Sequence, residues 1–155
     1  MTATNHALTG ALIAVVVDQP LLAIPLALAS HFVLDILPHF GVSKNPKVRN
    51  ASKLFRRVTI TDLLICGLIF LVAPLVYDNL GVSLIVLWAC MFAAICPDLV
   101  WGYRLYREHR EKRRIPKSLF SLFHSNIQWG ERPWGLGVEV IWGVVVSIVI
   151  IAPIL

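Results

Sequence analysis

The stretch "LLAIPLALASHFVLDILPHF", Leu21 to Phe40, combines two features that seldom occur together. Its first half is an apolar run of helical length. Its second half places His31, Asp35 and His39 four residues apart. Residues at that spacing share one face of a helix. Pro38 has no amide donor and disfavours helix at the residue before it, so a helix through this run should end at Leu37.

The rest of the chain sets the context. Of its 155 residues, 57% are hydrophobic and 15% charged. A soluble domain holds about 45–50% apolar and about 25% charged residues. With a mean hydropathy of +0.75, the chain reads as one integral membrane domain over residues 1–155. Apolar segments cover Ala7–Val17, Leu21–Leu37, Val58–Val76, Val82–Pro97 and Trp134–Ile151. A bilayer core needs roughly 20 residues, range about 17–25. The third and fifth segments satisfy this, and the fourth, at 16 residues, is read with them. The first two are short and meet at the turn signal Asp18-Gln19-Pro20. They form either two short helices across a thinned site or a hairpin that enters and returns. In both cases Ala7 and Leu37 end on one membrane face. "SLFSLFHSNIQW", Ser118 to Trp129, is expected as an amphipathic helix along the surface. Leu119, Phe120, Leu122, Phe123 and Ile127 give its apolar side, and Ser118, Ser121, Ser125 and Asn126 its polar side. Trp129 and Trp134 suit an interfacial aromatic belt. The expected fold is thus all-α: a polytopic membrane bundle of about five short helices with one interfacial helix. No basic region precedes the first apolar run, so no cleavable leader is expected. Cys66, Cys90 and Cys96 lie inside apolar runs and read as small packing residues.

The net charge is +5, and the basic residues sort by position. Lys44, Lys47, Arg49, Lys53, Arg56 and Arg57 lie in Gly41–Arg57. Arg104, Arg107, Arg110, Lys112, Arg113, Arg114, Lys117 and Arg132 lie in Trp101–Pro133. The turns at Asp18-Gln19 and Tyr77-Asp78-Asn79 have none. Cytoplasmic loops carry the Lys/Arg excess. The N-terminus and both long loops are therefore expected in the cytoplasm, with the chain in the inner (plasma) membrane. The expected partners are membrane lipids, since each basic residue near the surface attracts anionic headgroups by about 1 kcal/mol. Topology accounts for the charge, so nucleic acid is not an expected partner. The oligomeric state is left open.

Other ionisable groups gather at that same level. His6 starts the first helix, His31 and Asp35 end the second, and His39 follows. Asp62 begins the third, Asp98 ends the fourth, His124 precedes the fifth, and Glu139 lies about one turn inside it. Ionisable groups within spans are costly and by default mark function. Steps of four from each group meet small residues: Gly10 and Ala14 from His6, Ala27 and Ala23 from His31, Ala94 and Cys90 from Asp98. Cys66 follows from Asp62, and Gly143 and Ser147 from Glu139. Small stripes let membrane helices approach closely, which turns the polar ends inward. Ala14 should then sit near Ala23, Gly10 near Ala27 and His6 near His31. His39 would curl back after the Pro38 break. This donor set suits one or two divalent ions, zinc first, with manganese or iron as alternatives. Each group also has a plainer reading. A histidine can be a hydrogen-bonded interfacial residue, Asp62 a helix N-terminal residue favoured by the dipole, Asp98 a loop start, and Glu139 the partner of an arginine. His109 lies in a basic run and is set aside as solvated.

At "NHALTGALIA", "SHFVLDILPHF", "CPDLV" and "FHSNI" the chain resembles small bacterial membrane-bound metal-dependent hydrolases. The shared features are an N-terminal His with a Gly one turn later, a His-xxx-Asp element, a Pro-Asp motif and a His-Ser motif before a span. The second stretch is distantly similar to the His-xxx-Asp, Pro-x-His element of zinc-dependent phospholipases C. The resemblance reaches His6, His31, Asp35, Asp98 and His124, and extends less closely to His39. Pro97-Asp98 is followed by Leu-Val-Trp, where a second acid and a His are usual.

The resemblance implies phosphoester hydrolysis on a lipid at headgroup depth. Metal-activated water would attack phosphorus, with Asp62 or Glu139 as general base. The alternative is a non-catalytic metal-binding or assembly protein. Haem ligation by paired histidines is a weaker third reading, since small-residue stripes leave little room for the macrocycle.

Overall fold

The computed structural model describes residues 1–17, 19–43, 52–113, 115–116 and 118–152. Asp18, Lys44, Lys47, Arg49, Arg114, Lys117 and the His109 side chain, all invoked above, lie outside the described residues. The described residues are mostly helical: α1 (Ala3–Val16), α2 (Pro20–Ile36), α3 (Lys53–Val76), α4 (Leu84–Glu111), α5 (Leu119–Ile127) and α6 (Gly135–Ile151). Two short parallel strands, β1 (His39–Phe40) and β2 (Glu131–Arg132), pair His39 with Glu131 and Phe40 with Arg132.

Local chemistry sets most helix ends. Pro20 opens α2 at its first position, where a missing N–H costs nothing. Leu37 is extended ahead of Pro38, as expected (φ −68°, ψ 155°). The Ser52 hydroxyl caps α3 by accepting from the Phe55 amide at 3.2 Å, and Ser118 caps α5 through the Ser121 amide at 3.2 Å. α1 has no such cap of its own, because the Thr2 side chain makes no capping bond. Its first amides are instead taken by another helix. Ala3 N–H and Thr4 N–H donate to the two Asp62 carboxylate oxygens of α3, each at 2.9 Å.

α1 is the hub. It packs on α2, α3, α4 and α6. Small residues make this possible: Ala7, Ala11 and Ala14 of α1, Ala23 and Ala27 of α2, and Cys90 and Ala94 of α4 are all buried in one cluster. A methyl group on Gly10 would lie 2.5 Å from the Cys90 carbonyl oxygen, so α1 and α4 meet backbone to backbone. The stripes therefore pack as expected, with one correction of partner: Gly10 faces α4 rather than Ala27. Gly143 of α6 similarly approaches the Asn5 side chain of α1. Cys66 and Cys90 are buried free thiols.

Polarity is inverted relative to a soluble fold. Asn5, His6, Thr9, His31, Asp35, His124 and Glu139 are buried, while Leu21, Leu64, Leu71, Leu75 and Ile85 are 70–88% exposed. Two helices, Lys53–Val76 and Leu84–Glu108 within α4, are long and apolar enough to cross a membrane. α1, α2 and α6 are shorter apolar helices of 14, 17 and 17 residues.

Two boundaries differ from the reading of the sequence. α4 does not end at Pro97-Asp98 but continues to Glu111. Pro97 removes only one amide donor, and the turns beyond it are supported by ion pairs one turn apart, Arg104–Glu108 and Arg107–Glu111, both at 2.6 Å. α3 begins at Lys53, so Lys53, Arg56 and Arg57 belong to its first turns and not to a loop.

Candidate metal centre

α1, α2, α4 and α5 each deliver side chains to one buried point. His6 comes from α1, His31 and Asp35 from α2, Asp98 from α4 and His124 from α5. One donor atom from each of His31, Asp35, Asp98 and His124 lies within 4.8 Å of the others, a group that could hold a metal ion. Asp35 is the middle of it. Its Oδ2 lies 3.2 Å from His31 Nε2 and 3.1 Å from His124 Nε2. Its Oδ1 lies 3.2 Å from His6 Nε2 and against the Met1 backbone nitrogen. Asp98 faces the same nitrogens from the other side, with Oδ1 3.8 Å from His31 Nε2 and 3.6 Å from His124 Nε2, and Oδ2 4.0 Å from His6 Nε2.

The protons on these rings can be placed in part. His31 Nδ1 lies 2.8 Å from the Ala94 carbonyl, which only accepts, so Nδ1 is the N–H donor of that bond. Its Nε2 lies 3.0 Å from His124 Nε2. His6 Nε2 stands close to Asp35 without hydrogen-bond alignment, and His6 Nδ1 and His124 Nδ1 are buried without a partner. Three imidazoles thus turn Nε2 toward two carboxylates. Carboxylate oxygen and imidazole nitrogen in such a set match divalent zinc, manganese or iron chemistry.

The fold makes this convergence locally. Pro97 leaves the Ala93 carbonyl without its helical donor and loosens that turn of α4. The Ala94 carbonyl of the same turn receives the His31 N–H. Small stripes bring His6 and His31 into a ring stack with centroids 4.0 Å apart. Phe32 packs edge-on against Phe123 at 5.4 Å and His124 at 6.3 Å, seating α5 on α2. The β1–β2 pairing holds the chain on either side of α2 and α6 in register, and so fixes where α5 lies.

No protein-family model, curated protein or solved structure matches this chain. The site's reading therefore rests on its geometry.

Three candidate residues lie apart from the cluster. His39 is buried, and its Nδ1 donates to the Leu37 carbonyl at 2.8 Å; it curls back onto the chain, not into the centre. Burial, reinforced by the nearby N-terminal charge, lowers its affinity for a proton. Asp62 caps α1, and its backbone carbonyl accepts from the Thr4 hydroxyl at 3.0 Å. Glu139 Oε1 accepts from Thr2 N–H at 3.0 Å and Phe40 N–H at 3.2 Å, while its Oε2 is buried without a partner.

Gln128 was not anticipated from sequence. Its side-chain amide lies 3.2 Å from Asp35 Oδ2 and 3.3 Å from His124 Nε2. It follows His124 by one helical turn, and that spacing was the available signal. The helix of Leu119–Ile127 brings His124 to the centre. Ser121 and His124 face inward, whereas Leu119 (87% exposed), Leu122 and Phe123 face out. Asp98 is the one acid of the centre with an open edge, its side chain 28% exposed against 0% for Asp35.

Proposed function

We propose that this chain is a multi-pass inner-membrane protein whose centre binds a divalent metal and hydrolyses a lipid-borne phosphoester at the cytoplasmic interface. One observation carries the metal reading: His31 Nε2 and His124 Nε2, 3.0 Å apart, stand between two carboxylates in a site that is buried except at the Asp98 edge. Two ring nitrogens and two acids gathered with little solvent form an arrangement that a shared cation stabilises. His31, Asp35, Asp98 and His124 would hold the ion, with His6 beside them. A divalent ion there supplies Lewis-acid polarisation of a phosphoryl oxygen and acidifies water.

The chain's own groups have definite parts in this reading. The Ala94 carbonyl fixes the His31 tautomer, and Gln128 orients the Asp35 carboxylate. The open edge at Asp98 is where a phosphoester would enter. In the proposed orientation the starts of α1, α3 and α6 and the ends of α2 and α4 lie at the cytoplasmic face, which puts the centre at headgroup depth. Apolar exposed surfaces on α3 and α4 support the membrane setting.

A second reading has its own observation. Asp62 and Glu139, the two carboxylates expected as general base, are both engaged by backbone amides. A metal-binding or assembly protein needs no base. The deciding experiment is elemental analysis of purified protein, followed by incubation with vesicles carrying a phosphatidic acid or a polyprenyl phosphate. The hydrolase reading expects stoichiometric divalent metal and phosphate release that a chelator abolishes and metal restores. Bound metal without turnover of either lipid supports a non-catalytic metal-binding protein, and absence of metal overturns the hydrolase and leaves the assembly protein alone.

A further inference from the structure

A groove of about 840 Å³ runs between α3 and α6, floored by α1. α3 and α6 pack on α1 rather than closely on one another. The walls are apolar for most of the length: Leu8, Ile65, Ile69, Val140, Val144 and Ile148. Between Glu139 and Ala152 the α6 wall rises about 20 Å, at about 1.5 Å per residue. Charged side chains line only one end, where α1, α3 and α6 begin.

At that end the accessible charge is positive. Arg57 and Thr61, one turn apart on α3, are both exposed and line the groove. Arg57 has no hydrogen bond or ion pair with any described residue. The acids nearby are held inside the fold: both Asp62 oxygens accept the α1 amides, and Glu139, whose Oε1 accepts two amides while Oε2 has no partner, is 3% exposed. A trough with one cationic mouth and an apolar length matches an amphiphile with an anionic head.

We propose that the groove holds one acyl chain of a resident anionic phospholipid, with the phosphate against the Arg57 guanidinium and the Thr61 hydroxyl. None of the residues used here belongs to the metal centre, so the proposal stands whether or not that centre binds metal. It also differs from general attraction of the basic loops to the membrane surface, because it assigns one lipid to one place.

The test is native mass spectrometry of the full chain in detergent, supplied with phosphatidylglycerol or phosphatidylcholine of identical acyl chains. The expected result is one phosphatidylglycerol retained per chain under activation that strips phosphatidylcholine. Arg57→Gln should weaken phosphatidylglycerol retention roughly tenfold, the loss of one charge-assisted contact, and so remove the discrimination. Ile65→Phe and Ser147→Phe, from opposite walls, should each reduce retention of either lipid. Ile65 is 45% exposed, so its variant should fold even where Ser147→Phe does not. Arg110→Gln, on the exposed end of α4, should change nothing. The proposal is overturned if both wall variants retain lipid as the parent does, if Arg57→Gln leaves the headgroup preference intact, or if a co-purifying helix proves to fill the groove.

Discussion

Asp35 is fully buried, and His6, His31, His124 and Gln128 all reach its two oxygens. An isolated carboxylate at such a position is costly, and a cation would remove most of that cost. Under the metal reading, Asp35→Asn keeps the shape, loses the charge and lowers bound metal well below stoichiometry. His31→Ala should do the same, while Lys53→Ala on exposed α3 should not, as inductively coupled plasma measurement of purified protein would show. Full metal in both site variants would make the cluster a structural hydrogen-bond network. Gln128→Leu tests the outer layer: losing an orienting partner typically weakens metal binding about 10–100-fold, measurable by chelator competition. His31 and Asp35 were legible in the sequence because they interrupt an apolar run, and His6, Asp98 and His124 because they stand outside the ends of such runs at the same level. Gln128 was not, because a lone amide in a polar segment has no such contrast. The Ala94 carbonyl was invisible for a different reason, since a backbone acceptor leaves no mark on residue type.

Between helices, the contacts that matter most are made by residues with little or no side chain. A methyl at Gly10 would meet the Cys90 backbone carbonyl at 2.5 Å, and neither backbone can yield without separating α1 from α4. Gly10→Ala should therefore destabilise the bundle by about 1–3 kcal/mol, the usual cost of overpacking. Gly67 on α3 has nothing within 4 Å of the same position, so Gly67→Ala should be neutral or stabilising by up to about 1 kcal/mol. Thermal denaturation in one detergent, compared across the two variants, checks both. Asp62 gives a sharper contrast between roles. If it caps α1, Asp62→Ala should cost about 0.5–2 kcal/mol of stability and leave metal bound. A general base would instead lose turnover at unchanged stability. Element identity was read well from apolar runs, and the Pro38 break fell where its sterics require. The Pro97 boundary was misread because a proline's effect on a helix depends on what supports the following turns, here Arg–Glu pairs at i, i+4. The residue pattern of α5 marked its two sides, while the partner of each is set by the surroundings: Ser121 and His124 face the bundle, and Leu119, Leu122 and Phe123 face out.

For the whole molecule, the question is which way the bundle sits. The polar centre, the N-terminal ends of α1, α3 and α6, and the C-terminal ends of α2 and α4 share one end. That end also carries the basic starts and extensions of the helices: Lys53, Arg56 and Arg57 on α3, and Arg104, Arg107 and Arg110 on α4. The opposite end holds the turn between α3 and α4, around Tyr77, Asp78 and Asn79, with no Lys or Arg. Translocating a cluster of Lys and Arg opposes the membrane potential by about 2.3 kcal/mol per charge per 100 mV, so the basic end should stay inside. A single cysteine at Asn79, which is exposed, in a background lacking the three native cysteines, should react with a membrane-impermeant maleimide from outside intact cells. A cysteine at Arg110 should react only after the membrane is opened. Reaction in the reverse order would place the centre on the outer face. A cytoplasmic-leaflet substrate would then be ruled out, even if the metal centre itself were intact.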